Sequence, residues 1–440
     1  MAVHRLAFWF CAFFLLGVLL QSISGNFILV TGAAILAAFY FLAFQRYAFA
    51  LLMLLLLIGG GYTAWRDAQK QRQIASLQSR TEFHGVIRNI EYTEGSQKIL
   101  LALDGAIIRV TARRYPSLTY GDEITVRGAI REDLILFPQI SRINTEQGNW
   151  VIAQLLQLRD KVLTVLKQSL PSEEASFLAG ITLGARESFS KELQNDLKQS
   201  GTTHLVALSG YNIAVIAATI SFMGFWFTVA VIILFVLMTG AAASVVRAAI
   251  MGIIILLAQR VERRYSLRNA IAVAAFLMVL WNPRVLVFDI GFQLSFAALL
   301  GIVYVAPALK NIFRIENAGL LSWKENIVMT IAAQLAVLPL LLGYFGSVSV
   351  TSVLANVLVV GAMPLTMAFG FTLGGAGLFF NTFGNIIGWL VHPLLVYELA
   401  VIRFFSHYAL PISVTSFSIF AGIVYYSGLI YFTIWNQKRN

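Results

Sequence analysis

Between His204 and Ile216 the sequence reads HLVALSGYNIAVI, which sets a histidine, a serine, a glycine and an asparagine in an otherwise apolar stretch. A serine beside a histidine can be an activated nucleophile. His204 and Ser209 are five residues apart, about 140° round a regular helix. That spacing disfavours an intramembrane hydrolase unless Gly210 breaks the helix. Ser209 and Asn212, three apart, share a helix face. Unwound backbone in a bilayer survives only where it lines a cavity or is buried in protein, so a break at Gly210 would build a polar site at membrane depth. The alternative is an interfacial histidine, with serine and asparagine bonding to neighbouring helices.

Three further stretches carry polar groups in apolar surroundings. Arg247, in GAAASVVRAAIMG, must face something polar. Its guanidinium fork matches two phosphate oxygens; the alternative is a structural bond to a carbonyl or to Asp289. The small residues at 240–244 let another backbone approach closely. In NPRVLVFDIGFQLSFAALLG, Asp289 and Gln293 are four apart and face the same way, with helix breaks at Asn282-Pro283 and Gly291. In AAQLAVLPLLLGYFGSVSVTSVLAN, Gln334 precedes Pro339, and a mid-helix proline frees a carbonyl that something must satisfy. A purely structural kink is the equal alternative. Asp289 and Glu398 are the only carboxylates inside apolar runs after residue 204.

Other chemistries find no residues. The histidines (His4, His84, His204, His392, His407) form no HxxxH or HxH pair, so a zinc hydrolase has no visible ligands. No Gly-Lys pair exists for a nucleotide-binding loop. Cys11 is the only cysteine, which excludes an internal disulfide and a cysteine metal site. We expect no enzyme activity, no cofactor and no metal.

These residues need membrane helices to hold them. Of 440 residues, 58% are hydrophobic and 12% charged, with mean hydropathy +0.77; soluble domains carry roughly 25% charged residues. Apolar runs near or above bilayer length fall at 6–20, 27–44, 47–62, 225–238, 248–258, 291–309, 327–342 and 415–435. Residues 350–380 read as one long broken segment or two short ones. The first run follows His4 and Arg5 without a convincing cleavage site, so a retained anchor is favoured over a signal peptide.

The middle of the chain differs. FHGVIRNIEY, QKILLAL, AIIRVTARRY and EITVRGAIRE alternate in strand fashion with turn signals between them, as in a small barrel of the OB type. Its basic strand offers Arg109, Arg113, Arg114 and Tyr115, with Lys98 on a neighbour. Basic residues with aromatics are how such barrels hold single strands; a solvated strand face is the alternative. Residues 149–203 turn helical and amphipathic and are expected along the membrane surface.

The expected fold is therefore a polytopic α-helical membrane protein of about 11–12 membrane segments with an inserted small β-barrel (OB-like) extracytoplasmic domain. Residues 1–65 would form three membrane helices, 66–148 the β domain, 149–203 surface helices and 204–440 the main membrane domain. The net charge of +11 is gathered at the ends of apolar segments: five basic to one acidic over 1–79, twelve to five over 204–440, and balanced between. That is a topology signal. With QRVERRYSLR (259–268) and KNIFRIENAGLLSWKEN (310–326) inside, counts from both directions put 66–203 on the outer face.

Taken in order, GITLGARESFSKELQNDLKQSGTTHLVALSGYNIAVI, SVVRAAIMG, NPRVLVFDIGFQLSFAALLGI and AAQLAVLPLLLGYFGSVS resemble the ComEC family of bacterial competence proteins. The match covers nearly the whole chain, and the SGxN and FQLSF blocks in this order are fairly specific. The resemblance implies a channel in the cytoplasmic membrane that brings single-stranded DNA into the cell during natural transformation. His204, Ser209, Gly210, Asn212, Arg247, Asp289, Gln293 and Gln334 then become candidates for the DNA path, and Lys98, Arg109, Arg113, Arg114 and Tyr115 for contacts in the outer domain. The family often has histidine where this chain has Asn212. Longer members carry a C-terminal metallo-β-lactamase-like domain; we expect none here, since the histidines offer no HxHxDH motif, and nuclease activity would come from another polypeptide or be absent. The implied partners are single-stranded DNA, a DNA receptor on the outer face, a cytoplasmic ATPase or single-strand-binding protein that supplies the driving force, the lipid bilayer and further copies of the chain. The competing reading is a transporter of a small polar or anionic solute.

Overall fold

The computed structural model describes residues 3–43, 47–78, 80–93, 95–103, 106–130, 133–144, 147–206, 210–261, 266–313, 323–349, 351–413 and 418–438. They fall into two compact units. One comprises 1–160, 233–241 and 272–287, the other 161–232, 242–271 and 288–440.

The first unit opens with α1 (Val3–Ser24), α2 (Phe27–Ala43) and α3 (Tyr47–Gln78). Glycines let α1 and α3 touch backbone to backbone. A Cβ on Gly17 would lie 2.0 Å from the Leu56 carbonyl oxygen, and one on Gly59 would lie 2.2 Å from that of Phe14. Such contacts between small residues hold membrane helices together where no hydrophobic force exists between them. The boundary expected at residue 65 falls inside α3, which runs on for a total of 32 residues, about 48 Å. Its extension carries polar anchors. Arg66 donates to the Trp281 carbonyl at 3.0 Å, and Asp67 pairs with Arg284 at 2.7 Å.

Six strands follow: β1 (Glu82–Thr93), β2 (Ser96–Leu103), β3 (Ala106–Arg113), β4 (Glu123–Arg127), β5 (Leu134–Leu136) and β6 (Gln139–Asn144). They form one sheet in the order β5-β3-β2-β1-β4-β6, with only β3 and β5 parallel. Alternation puts Ile99, Leu101, Ile108, Val110, Ile124 and Val126 in a small core and Lys98, Arg109 and Arg113 outside. The barrel expected from the sequence is found as a six-stranded sheet; among the described residues no pairing joins β5 to β6.

The rest is helical: α4 (Trp150–Ser169), α5 (Ser172–Leu183), α6 (Lys191–Gln199), α7 (Gly210–Ile220), α8 (Phe225–Met238), α9 (Ala243–Arg260), α10 (Leu267–Trp281), α11 (Val285–Phe288), α12 (Ile290–Leu300), α13 (Ala306–Ile312), α14 (Trp323–Phe345), α15 (Ser352–Gly377), α16 (Asn381–His407) and α17 (Ile419–Lys438). A π turn at Gly301–Val305 joins α12 to α13. A two-stranded ribbon pairs β7 (Ser347–Ser349) with β8 (Pro411–Ser413).

Seven helices among the described residues are long and apolar enough to cross a membrane: Ala7–Ser24, Ala243–Arg260, Ile290–Ile312, Lys324–Phe345, Ser352–Gly377, Thr382–His407 and Ile419–Asn436. Shorter apolar helices lie at Phe27–Phe39, Asn212–Met223, Phe225–Met238 and Leu267–Trp281. The 350–380 region is one helix, α15, with Pro364 inside it. The two loops counted as cytoplasmic lie partly outside the described residues, at 262–265 and 314–322.

α5 lies within the stretch expected to be surface helices, and every residue from Ala175 to Leu183 is buried against protein. Phe177, Leu178 and Ile181 join Leu193 and Leu197 of α6 and Leu373, Leu395 and Leu399 of α15 and α16 in one core. Gly370 makes the fit possible, since a Cβ there would meet Leu178 at 2.7 Å and Thr182 at 2.9 Å. Ser172, Glu173 and Glu174 form the polar first turn of a helix that is otherwise buried.

Candidate functional site

His204 is not in a helix. It lies in the turn after α6, with its side chain exposed, and α7 begins at Gly210. The helical spacing that argued against a His204–Ser209 pair therefore does not apply across this segment, and Ser209 itself lies outside the described residues. The His204 ring is hydrogen-bonded to the Gly201 backbone. Gly201 has φ +70° and presses on α15, where a Cβ would lie 2.4 Å from Ser352 Cβ.

Asn212, in the first turn of α7, is 1% exposed. Its Nδ2 donates to the Ile181 carbonyl at 2.8 Å and the Thr182 carbonyl at 3.1 Å. Both lie in the last turn of α5, where helix carbonyls have no partner within the helix. Beyond Asn212, α7 packs closely on α9. A Cβ on Gly252 would come within 3.1 Å of Ile213, and one on Gly210 within 3.9 Å of Ala248.

Arg247, one residue before that contact, reaches to α12. Its Nη1 donates to the Ser295 carbonyl, and the guanidinium lies 5.6 Å from the Phe296 ring centroid. A carbonyl dipole and an aromatic face are what a cation finds inside a membrane when no carboxylate is at hand. Asp289 is used otherwise. It is the N-cap of α12, in extended conformation, with its carboxylate accepting from the Phe292 amide at 2.8 Å. Asp289 thus opens the helix that carries Gln293 one turn later, the Gln293 amide donating to the Asp289 carbonyl at 3.1 Å. Gln293 accepts from the Tyr344 hydroxyl of α14 at 2.8 Å. On that same helix, Gln334 donates to Ser352 Oγ of α15 at 3.3 Å, and Ser352 donates in turn to the Ser349 carbonyl.

Pro339 interrupts α14 and frees the Leu335 carbonyl four residues earlier. Tyr425 of α17 donates to that carbonyl at 2.9 Å, and Tyr426 to the Ala336 carbonyl at 2.9 Å. Neither tyrosine was singled out from sequence. Nor were Tyr344, Phe296 and Ser352. Only the pairing across helices reveals them, and a single sequence holds no trace of it.

The helices meet in a cycle within the second unit: α7 packs on α9, α9 on α12, α12 on α14, α14 on α15, and α15 back on α7. Gly210, Arg247, Gln293 and Gln334 lie at successive joints. Asn212 ties the cycle to α5, and the His204 turn is tied in through Gly201 and Ser352.

In the sheet of the first unit, Arg109 is engaged. Its guanidinium lies 2.6 Å from Asp133, which also meets Lys70 of α3 at 2.6 Å. Partial burial acts to raise the Asp133 carboxyl, but the hydrogen bonds from Arg109 and Lys70 outweigh it and hold it below the usual carboxylate range. Lys98 stands opposite Thr111, and Arg113 opposite Ser96, so both point out from the same face. Arg114 and Tyr115 follow at the strand end, exposed, the tyrosine by 79%. Among the described residues no group of three histidine, cysteine or acidic side chains could hold a metal ion.

Long apolar helices joined through polar side chains, together with a separate six-stranded sheet, define a multi-pass membrane protein. The family model described as Competence protein matches residues 181–439, and the chain belongs to that family. It is also similar to ComE operon protein 3 of Bacillus subtilis (strain 168), with 28% identity over 256 residues, covering 54% of this chain and 32% of that protein. The aligned part therefore spans about a third of the relative's length. No solved structure matches the chain. The family match includes every candidate in the helix cycle and none in the sheet.

Proposed function

We propose that the chain is a channel in the bacterial cytoplasmic membrane that passes single-stranded DNA inward during natural transformation. The observation that carries this reading is the helix cycle, with Arg247 and a run of amide and hydroxyl side chains at its joints. A strand crossing lipid brings about one negative charge per nucleotide, so its path must be wet and must offer donors or cations. Few cations inside the membrane suit a path that must also release its cargo. The family match supports the competence setting.

The outer sheet supports an OB-like role. β5 and β6 are separated only by Phe137 and Pro138, with β5 paired to β3 and β6 to β4. One bent segment thus reaches both edges of the sheet, as closing a small barrel requires. Lys98, Arg113, Arg114 and Tyr115 are the proposed DNA contacts there, while Arg109 serves Asp133. The sequence offers no nucleotide-hydrolysis motif, so the driving force comes from a cytoplasmic ATPase or single-strand-binding protein. A receptor would present DNA at the outer face, and a nuclease would degrade the other strand.

The test is a chromosomal deletion with complementation, scored for surface-bound and nuclease-protected labelled DNA. Loss of protected DNA with surface DNA intact supports the channel. Normal protected uptake in the deletion strain removes it and leaves transport of a small anionic solute as the leading reading.

A further inference from the structure

The helix cycle makes no use of one buried acid. Glu398 lies within the apolar span Thr382–His407 of α16 and is fully buried. Its Oε1 is 2.8 Å from Thr366 Oγ1 on α15. Its Oε2 is buried and has no hydrogen-bond partner among the described residues. Leu395, Leu399 and Ile402 of its own helix join Met363 and Met367 of α15 in one apolar core.

No described charge answers it. α15 carries no Asp, Glu, Lys, Arg or His from Ser352 to Gly377. On α5, Glu173 pairs with Arg403 and Glu174 approaches His392 at 3.8 Å. On α6, Asp196 accepts from Ser406 at 2.8 Å, while Lys191, Glu192 and Lys198 form no described ion pair with Glu398. His407 closes α16 nine residues further on.

The hydroxyl of Thr366 decides how the acid is best satisfied. Oγ1 is within reach of Glu398 and also of the Ala362 carbonyl, at 3.3 Å. One hydroxyl hydrogen serves one acceptor at a time. With a proton on Glu398, the carboxyl donates to Thr366 and Thr366 donates to Ala362, leaving Oε2 a neutral carbonyl oxygen. Without it, Thr366 turns to Glu398, and a charged oxygen faces methionine and leucine, which an apolar interior does not tolerate. The clasp also sits beside two prolines within continuous helices, Pro364 two residues before Thr366 and Pro393 five before Glu398; each removes one helix hydrogen bond.

We infer that Glu398 is a proton-binding site at membrane depth, loaded while α15 and α16 are closed on each other through Thr366 and unloaded when they part about Pro364 and Pro393. Loading forms one O–H bond on the carboxylate. Unloading breaks it and passes the proton to water admitted between the helices, which then solvates the carboxylate. The inference does not rest on DNA transport.

The test uses the full chain in lipid vesicles without DNA. Infrared spectra across pH report the carboxylic-acid C=O band, assigned by its loss in Glu398→Gln and its displacement in Thr366→Val. The second variant keeps the acid and identifies the band if the first does not assemble. Paired spin labels on α15 and α16 report their separation. We expect a band present at neutral pH that disappears on raising pH while the labels separate. In Glu398→Gln the labels should stay at the closed distance throughout. A band absent at every pH overturns the inference, as does one that persists to the alkaline limit of folding. So do labels that separate alike in Glu398→Gln.

Discussion

At the scale of single residues, Asn212, Arg247, Asp289, Gln293 and Gln334 each have a named partner, and removing one partner exposes the other. Asn212→Ala would leave the Ile181 and Thr182 carbonyls short of their donor, at about 1–2 kcal/mol in all. Asn212→His, the residue the family often has there, keeps one donor and should lose less. Thermal unfolding of the purified protein in detergent orders the three. Asp133 gives a pH prediction with a definite sign. Its carboxyl is held below its ordinary value, so its contribution is complete above the usual carboxylate range. That contribution is lost as pH falls through the lowered value. Asp133→Asn should flatten this acid limb in unfolding curves that follow the β sheet; an unchanged limb would assign it to other groups. Much of this scale was legible in part. Arg247 was readable as a cation in need of a partner, and a carbonyl was one of the two partners foreseen. The N-cap role of Asp289 was not readable, because its place inside an apolar run hides where the helix begins.

At the scale of elements, a proline in α14 and a tyrosine in α17 act as a unit. Tyr425→Phe removes the donor to the Leu335 carbonyl. Pro339→Ala restores an amide that can take its place. A double-mutant cycle on stability should therefore show coupling of about 0.6–1.7 kcal/mol, the range for hydrogen bonds between membrane helices. Strict additivity would mean that Tyr425 does not serve the kink. The long apolar helices were readable because eighteen or more apolar residues leave no other fold. The start of α7 at Gly210 was readable as a possibility, since glycine there loosens a helix. The burial of α5 was not readable. Twelve residues with a charged first turn fit a surface helix as well as a core one, and only the packing on α15 and α16, with Gly370 giving room for Leu178 and Thr182, decides between them.

At the scale of the molecule, the membrane class was written in composition and run length, and the family in the order of its blocks. The sheet was legible as strands, because alternation has period two; its strand order was not, because a two-residue bend at Phe137 and Pro138 sends β5 to β3 and β6 to β4. The channel reading rests on Arg247 being available to a passing phosphate, with the Ser295 carbonyl and Phe296 ring as its partners at rest. The most direct measurement replaces the chromosomal gene with Arg247→Ala and follows labelled DNA into the nuclease-protected state at matched membrane levels of the protein. Loss of a charge-assisted contact worth about 1.5–3 kcal/mol should lower protected uptake about ten- to a hundredfold, with surface-bound DNA unchanged. Protected uptake at the wild-type rate would contradict the account.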